Sequence, residues 1–407
     1  VRICLVSQEY PPGYVGGIGT QTRVKAQGLL ARGHDVQVLT AGHESGPQLC
    51  TREQAGVTVH ALAPPGGGFA VNHTETYWLG YTWAVLRALR TLTAERGYDL
   101  IDFPDYGAEG LAFQLDRSPE DETAVVVHLH GPLSMFSEQI GWPEPGDPLL
   151  RLGTFMEDMS IETADGLLAA SRSVAELTAR RNAIDPELIG IVAGAVDSDV
   201  FAPAGDRDGD GRDDAIRVLF VGNVADNKGV GVVLDAFARV APEHPLLRLT
   251  IAGSADQEVA AELRGRAAKA GLGERVELCG FVEHDRLPAL YRSADVFAAP
   301  SRYEGGLGLV YLEAMACGLP VVAAATGGTA EAVAPGETGF LLERGDAEET
   351  AQAIRTLVAD PALRARMGAA ARRRVLEHFA AAPYAQKVES VYERAVERRR
   401  AAIASRA

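Results

Sequence analysis

Cysteine, aromatic residues, positive charge and long apolar runs are all scarce in this chain. Four cysteines (Cys4, Cys50, Cys279 and Cys317) occur in 407 residues. They lie far apart and form no CxxC pair, which excludes a thiolate zinc knuckle or a disulfide scaffold; Cys4 and Cys317 sit in apolar runs and read as reduced core residues. No stretch approaches the roughly 18 uninterrupted apolar residues of a membrane-spanning helix. The opening run 1–7 is too short for a signal peptide and carries Arg2, so a cytoplasmic location is expected. Lysine and arginine total 39 against 55 acidic residues, a formal net charge of -16, which disfavours nucleic acid or an anionic membrane as partner.

Short β-rich runs alternate with helical patterns throughout. VRICLVS, a glycine-rich turn, TQTRVKAQGLLARG and HDVQVLT read as strand, loop, helix and strand, and VTVHAL, YDLIDF, TAVVVHLH, DGLLAAS and LIGIVAG continue the series. Such alternation predicts an α/β protein with parallel sheets. The pattern breaks at AGDRDGDGRDD, residues 204–214, which reads as a linker. It restarts with IRVLFVG, LRLTIAG, RVELCGFV, DVFAAPS and PVVAA. The expected organisation is a first domain over 1–203, a linker over 204–214 and a second domain over 215–383, with a last helix over about 384–407 packing back on the first. Asp206, Asp208, Asp210 and Gly211 imitate the start of a calcium loop, but its twelfth position is Arg217 instead of glutamate.

The first strand leads through SQEYPPGYVGGIG into a helix beginning near Thr20. Glycines there admit a close ligand, and a helix start favours phosphate. A dinucleotide fingerprint fails because Thr22 stands where its third glycine belongs. The turn reads equally as a phosphate contact or as plain structure. More telling is SRYEGGLGLVYLEAMACGLPVV, read as loop and short apolar helix, with Glu313 inside the helix. A carboxylate there needs partners; vicinal ribose hydroxyls would serve, as would a neighbouring backbone N–H. Glu304 falls at a strand's C-terminal end, where parallel sheets place ligands, and the helix start could receive a diphosphate.

The segment APSRYEGGLGLVYLEAMACGLPVVAAATGGTAEAV resembles the signature of the family-4 retaining glycosyltransferases. The likeness continues through the opening GGIG loop, VVVHLHGP, GLLAASRSV, GAVDSDVFAP, VLFVGNVADNKG, LTIAGS, VELCGFV and ALYRSADVFAAPS. It implies the GT-B fold, two Rossmann-like domains whose parallel sheets face a central cleft. It also implies transfer of a hexosyl group from a UDP- or GDP-hexose, with an acceptor-binding first domain and a donor-binding second. By this resemblance Glu313 would bind the ribose and Glu304 the transferred sugar. The backbone of Gly308, Leu309 and Val310 would cradle the diphosphate, with Lys228 neutralising it. Gly17 would approach it from the first domain, His130 would touch the sugar, and Phe281 and Val282 would line the base. Two departures stand out. Eight residues separate Glu304 from Glu313 where the family usually has seven, and Asn223 replaces an arginine that serves the diphosphate; Arg302 is the candidate substitute cation.

His128 and His130 share a strand face at i, i+2, but no carboxylate or cysteine nearby in sequence completes a metal site. Asp197-Ser198-Asp199 imitates a metal-holding DxD motif but falls where turn chemistry is expected. A metal-independent reaction without a cofactor is therefore expected. The cluster His73, Tyr77, Trp78, Tyr81 and Trp83, with Trp142, reads either as acceptor contacts or as a core stripe; His73, Tyr77, Trp78 and Trp142 are the acceptor candidates. The arginine runs at 372–374 and 398–400 read as solvated helix faces. The absence of an anchor points to a soluble small-molecule or natural-product acceptor. A nucleotide-sugar epimerase of the same fold and a catalytically silent sugar-nucleotide binder remain alternatives, separable by product analysis without acceptor.

Overall fold

The computed structural model describes residues 1–11, 16–42, 49–63, 74–94, 96–203 and 214–406. The linker at 204–214, apart from Asp214, and His73 lie outside them. The chain divides into two compact units: unit 1 holds Val1–Ala195 and Ala381–Ala407, and unit 2 holds Val196–Ala380.

Among the described residues unit 1 contains eight strands: β1 (Arg2–Val6), β2 (Asp35–Ala41), β3 (Leu49–Gln54), β4 (Val57–Leu62), β5 (Leu100–Pro104), β6 (Ala124–Leu129), β7 (Gly166–Ala169) and β8 (Ile189–Ile191). They pair in the order β3-β4-β2-β1-β5-β6-β7-β8. All neighbours are parallel except β3 and β4, an antiparallel hairpin at the edge. Strands flanked by helices on both faces must be apolar throughout, and β5 and β6 are buried at every position. The chain order reverses between β1 and β5, which marks the crevice where such sheets take ligands.

The helix Ala381–Ala404 completes this unit's core. Tyr384, Val388, Tyr392 and Ala395 are buried with Leu29, Val126 and Leu168. Its close approach depends on missing side chains: a Cβ on Gly28 would stand 2.7 Å from the Ala385 methyl, and one on Gly190 would stand 2.5 Å from Val391.

In the arginine runs Arg373, Arg398 and Arg400 are exposed as expected, whereas Arg372, Arg374 and Arg399 depart from the expectation of solvated faces. Arg399 is only 7% exposed and donates to the carbonyls of Ser118, Pro119 and Asp121. Arg372 likewise donates to the carbonyls of Ser198, Phe201 and Ala316, and Arg374 to those of Glu331 and Ala332. A guanidinium offers five donors in a fixed fork, so each of these arginines satisfies several loop or helix-end carbonyls at once.

Unit 2 contains β9 (Ile216–Val221), β10 (Leu247–Ala252), β11 (Val276–Gly280), β12 (Val296–Ala299), β13 (Val321–Ala324) and β14 (Gly339–Leu342). They form one parallel sheet in the order β11-β10-β9-β12-β13-β14. This is the doubly wound order, with its switch point between the C-terminal ends of β9 and β12.

Candidate active site

The residues singled out in the second half converge on that switch point. Beyond β9 the chain runs through Gly222 and Asn223 to a short 3-10 turn, Asp226–Lys228. Beyond β12 it runs through 300–308 into the helix Leu309–Ala316. The two loops are stitched together: Arg302 N–H and the Ser301 hydroxyl both donate to the Asn227 carbonyl, at 2.8 and 3.1 Å. A third loop braces them. Gly328 N–H donates to the Glu304 carbonyl, and a Cβ on Gly327 would stand 1.7 Å from that oxygen, so only glycine fits there.

This bracing brings Lys228 Nζ within 2.7 Å of Glu304 Oε1. The Glu304 carboxyl carbon also lies 3.6 Å from where a Cβ on Gly308 would stand, beside the start of the helix Leu309–Ala316. No side chain caps that helix at Gly308; Tyr311 N–H turns back to the Gly308 carbonyl at 3.0 Å, and the N–H groups of Leu309 and Val310 stand at the helix start, where a helix supplies no partner of its own. Ammonium and helix start therefore present positive potential together, with Glu304 drawn to it. The additional residue between the two glutamates is absorbed in the loop before the helix.

Glu313 is 4% exposed. Side chains hold its carboxylate: the Tyr291 hydroxyl donates to Oε2 at 2.9 Å, and His284 Nε2 lies 3.2 Å from Oε1. Burial, and then the charge of Glu313, hold the Tyr291 hydroxyl well above its ordinary range, so it remains a donor. Phe281 is an exposed aromatic beside half-buried Val282, directly after β11. Asn223 is exposed and brings no charge. Arg302 pairs with Asp226, and both side chains are largely exposed, an arrangement of little strength that another anion can displace.

In unit 1, Gly17 opens the helix Gly17–Ala31, and nothing lies within 4 Å of where its Cβ would be. The chain's own Glu9 is at this helix start, accepting from Gly16 N–H at 2.7 Å and also from Gly19 N–H; burial raises its pKa and those two bonds oppose the rise. His130 follows β6. Its backbone N–H donates to Asp105 Oδ1 at 2.9 Å, Gly131 N–H donates to Oδ2 at 3.1 Å, and Tyr106 N–H donates to Oδ1 at 2.8 Å. Asp105 thus shapes the turn that carries His130, and burial pushes its own pKa up to about 6 against those bonds. Burial, with the positive charge of Lys25, holds the His130 imidazole down at about 3, so the ring is neutral at ordinary pH.

Of the aromatic candidates, Tyr77 and Trp78 are buried, Trp78 edge-on to Tyr106 and the Tyr77 hydroxyl bonded to Gln8. That geometry gives both a packing role; Trp142 and Trp83 reach the surface. Among the described residues, no cluster of three His, Cys, Asp or Glu side chains could hold a metal, and no helix is long and apolar enough to cross a membrane. Sequence reasoning missed Glu9, Asp105, His284 and Tyr291.

Comparison with known proteins bears on this arrangement directly. The family model "Glycosyl transferases group 1" matches residues 206–374, and "Glycosyl transferase 4-like domain" matches residues 16–195. The chain is 32% identical over 391 residues to a D-inositol 3-phosphate glycosyltransferase of Xylanimonas cellulosilytica, covering 91% of each chain. It belongs to the family-4 retaining glycosyltransferases. A glycogen synthase of Mycobacterium tuberculosis is 30% identical over 401 residues, covering 93% of this chain and 91% of its own. Among solved structures, sucrose-phosphate synthase from Thermosynechococcus elongatus superposes with a TM-score of 0.82 at 26% identity, over 96% of this chain and 98% of that one. HepE of Anabaena, solved with UDP-glucose, shares the fold with a TM-score of 0.72 at 22% identity, over 96% and 98%. The expected fold class is borne out: this glycosyltransferase is an α/β protein of the GT-B type that uses nucleotide sugars.

Proposed function

We propose that this glycosyltransferase moves a hexosyl group from a UDP- or GDP-hexose to a small-molecule acceptor, with its donor site at the switch point of unit 2. The observation that carries the reading is the meeting of Lys228, Glu304 and an uncapped helix start beside the buried carboxylate of Glu313. A diphosphate leaving group needs positive charge and oriented N–H dipoles. Lys228 supplies the first, and the backbone of Gly308, Leu309 and Val310 the second. Glu304, released from Lys228 by the incoming diphosphate, accepts from hydroxyls of the transferred sugar, and Glu313 accepts from the ribose. Arg302 exchanges Asp226 for the diphosphate and so makes up for Asn223. Phe281 and Val282 flank the base. Within unit 1, Gly17 and the neutral His130 remain the candidate ligand contacts, and Trp142 is the accessible aromatic for the acceptor.

Retention needs no protein base in this scheme. The bond from sugar C1 to the diphosphate oxygen breaks as the acceptor oxygen bonds C1 on the same face, and the acceptor proton passes to the departing phosphate oxygen. A small acceptor accords with the relative named for inositol phosphate; the relative named for glycogen represents the polymeric rival. Titration calorimetry with UDP-, GDP-, ADP- and dTDP-hexoses tests the donor site. One nucleotide class should bind, and Glu313→Ala and Lys228→Ala should each abolish that binding. No binding by any of them sinks the proposal, and conversion of the donor alone, without acceptor, would favour an epimerase.

A further inference from the structure

Four side chains with no part in the scheme above meet inside unit 1. Lys25 comes from the helix Gly17–Ala31, Asp102 from β5, His128 from β6 and Tyr392 from the helix Ala381–Ala404, and all four are buried. Lys25 Nζ lies 2.9 Å from Asp102 Oδ2 and 2.7 Å from His128 Nδ1. The Tyr392 hydroxyl donates to the same Asp102 oxygen. Burying an ion pair this completely gains little stability over an apolar residue of similar volume, so core packing alone does not account for it.

The cluster does fix an imidazole. An ammonium donates and cannot accept, so His128 Nδ1 accepts and the ring proton sits on Nε2, which is buried without a hydrogen-bond partner among the described residues. The His128 ring lies against that of His130, centroids 3.8 Å apart and planes inclined by 36°. Two imidazoles this close disfavour charge on each other, and burial with the Lys25 charge holds both below their ordinary range. The other titratable groups around Asp102 are Cys4 and Tyr384, whose thiol and phenol are both held protonated by burial.

We propose that Lys25, Asp102 and Tyr392 are positioning residues that act through His128 to set the orientation and neutral form of His130, tying the end of β6 to the last helix. This rests on the reading of His130 as a contact to the transferred sugar. A neutral imidazole can donate from one nitrogen and accept at the other; a charged one beside the reacting sugar C1 could only donate and would oppose the developing positive charge.

The first test needs no ligand. Nitrogen NMR of the histidine rings in the full chain should show His128 as the Nε2–H tautomer, with no titration over roughly pH 5 to 8. An Nδ1–H tautomer, or titration in that window, overturns the proposal whether or not the protein transfers sugar. The second test uses Lys25→Met/Asp102→Asn, which removes both charges together and strands neither, beside Tyr392→Phe. The double variant should keep the donor KM while kcat falls about 10- to 100-fold, the scale of a misplaced contact to a reacting group, with a smaller fall in Tyr392→Phe. Parental kcat in both variants overturns the proposal. If the double variant fails to fold, the tautomer measurement and Tyr392→Phe decide. A parent that transfers no sugar would instead sink the reading of His130, and the tautomer would still decide for the cluster.

Discussion

Replacing Glu313 by glutamine isolates a single charge in a site whose shape is otherwise kept. The carboxylate is nearly inaccessible and is held by Tyr291 and His284 at 2.9 and 3.2 Å. Glutamine still accepts from the Tyr291 hydroxyl, so the folded state should lose at most about 1 kcal/mol, the worth of one ordinary hydrogen bond. Ligand binding should suffer more. Hydrogen bonds to a charged acceptor contribute about 1.5–3 kcal/mol, against about 0.5–1.5 for neutral pairs, so two ribose hydroxyls together should lose about 2 kcal/mol. That corresponds to about a 30-fold rise in Kd. Titration calorimetry of Glu313→Gln with the preferred nucleotide sugar measures it, with the thermal midpoint as a check on folding. The loss should be equally large for the nucleoside monophosphate and absent for pyrophosphate, because the lost contacts are to ribose. A Kd within about twofold of the parent in a variant that keeps its thermal midpoint would refute this placement of the ribose.

Arg399→Ala should destabilise unit 1 by about 1–2 kcal/mol, since it removes the shared donor from the carbonyls of Ser118, Pro119 and Asp121 on a partly exposed turn; an unchanged melting curve would contradict that role. Burial pushes Glu109 up to about 8 from an ordinary value of 4.5. The folded chain therefore keeps a proton across that window that the unfolded chain releases, and this group's contribution to stability falls as pH rises from 4.5 to 8. Glu109→Gln should accordingly raise the thermal midpoint at pH 8 relative to the parent more than at pH 5; a pH-independent difference between the two would count against it.

The strands were legible because β5, β6, β12 and β13 are mainly apolar runs, broken only by Asp102 and His128, and are buried at every position. The polar edge strand β3, LCTREQ, carries no such signal, since half its side chains face water. Glu313 was legible as a charge in an apolar helix, yet its partners Tyr291 and His284 come 22 and 29 residues earlier in the chain, and no local pattern ties them to it. Lys25 was invisible for the opposite reason. A lysine amid TQTRVKAQG looks solvated, and only the folded sheet brings Asp102 and His128 to it. Arg372, Arg374 and Arg399 were misread because sequence shows charge but not the carbonyls a folded loop leaves in need of donors. Asp105 did carry a local signal, standing at a strand's C-terminal end before YG, where a carboxylate commonly organises a turn.

The division of the chain at Ala195 and Ala380 has a practical corollary. Unit 2 is inserted within unit 1, and its two ends are pinned side by side: Val196 bridges Ala380, with Val196 N–H donating to the Phe379 carbonyl at 2.9 Å. A module whose ends already touch can be exchanged as a cassette without altering the distance its host must span. If unit 2 holds the donor as proposed, chimeras joined at these two points would exchange nucleotide preference between enzymes, with the last helix left in place to close its original core.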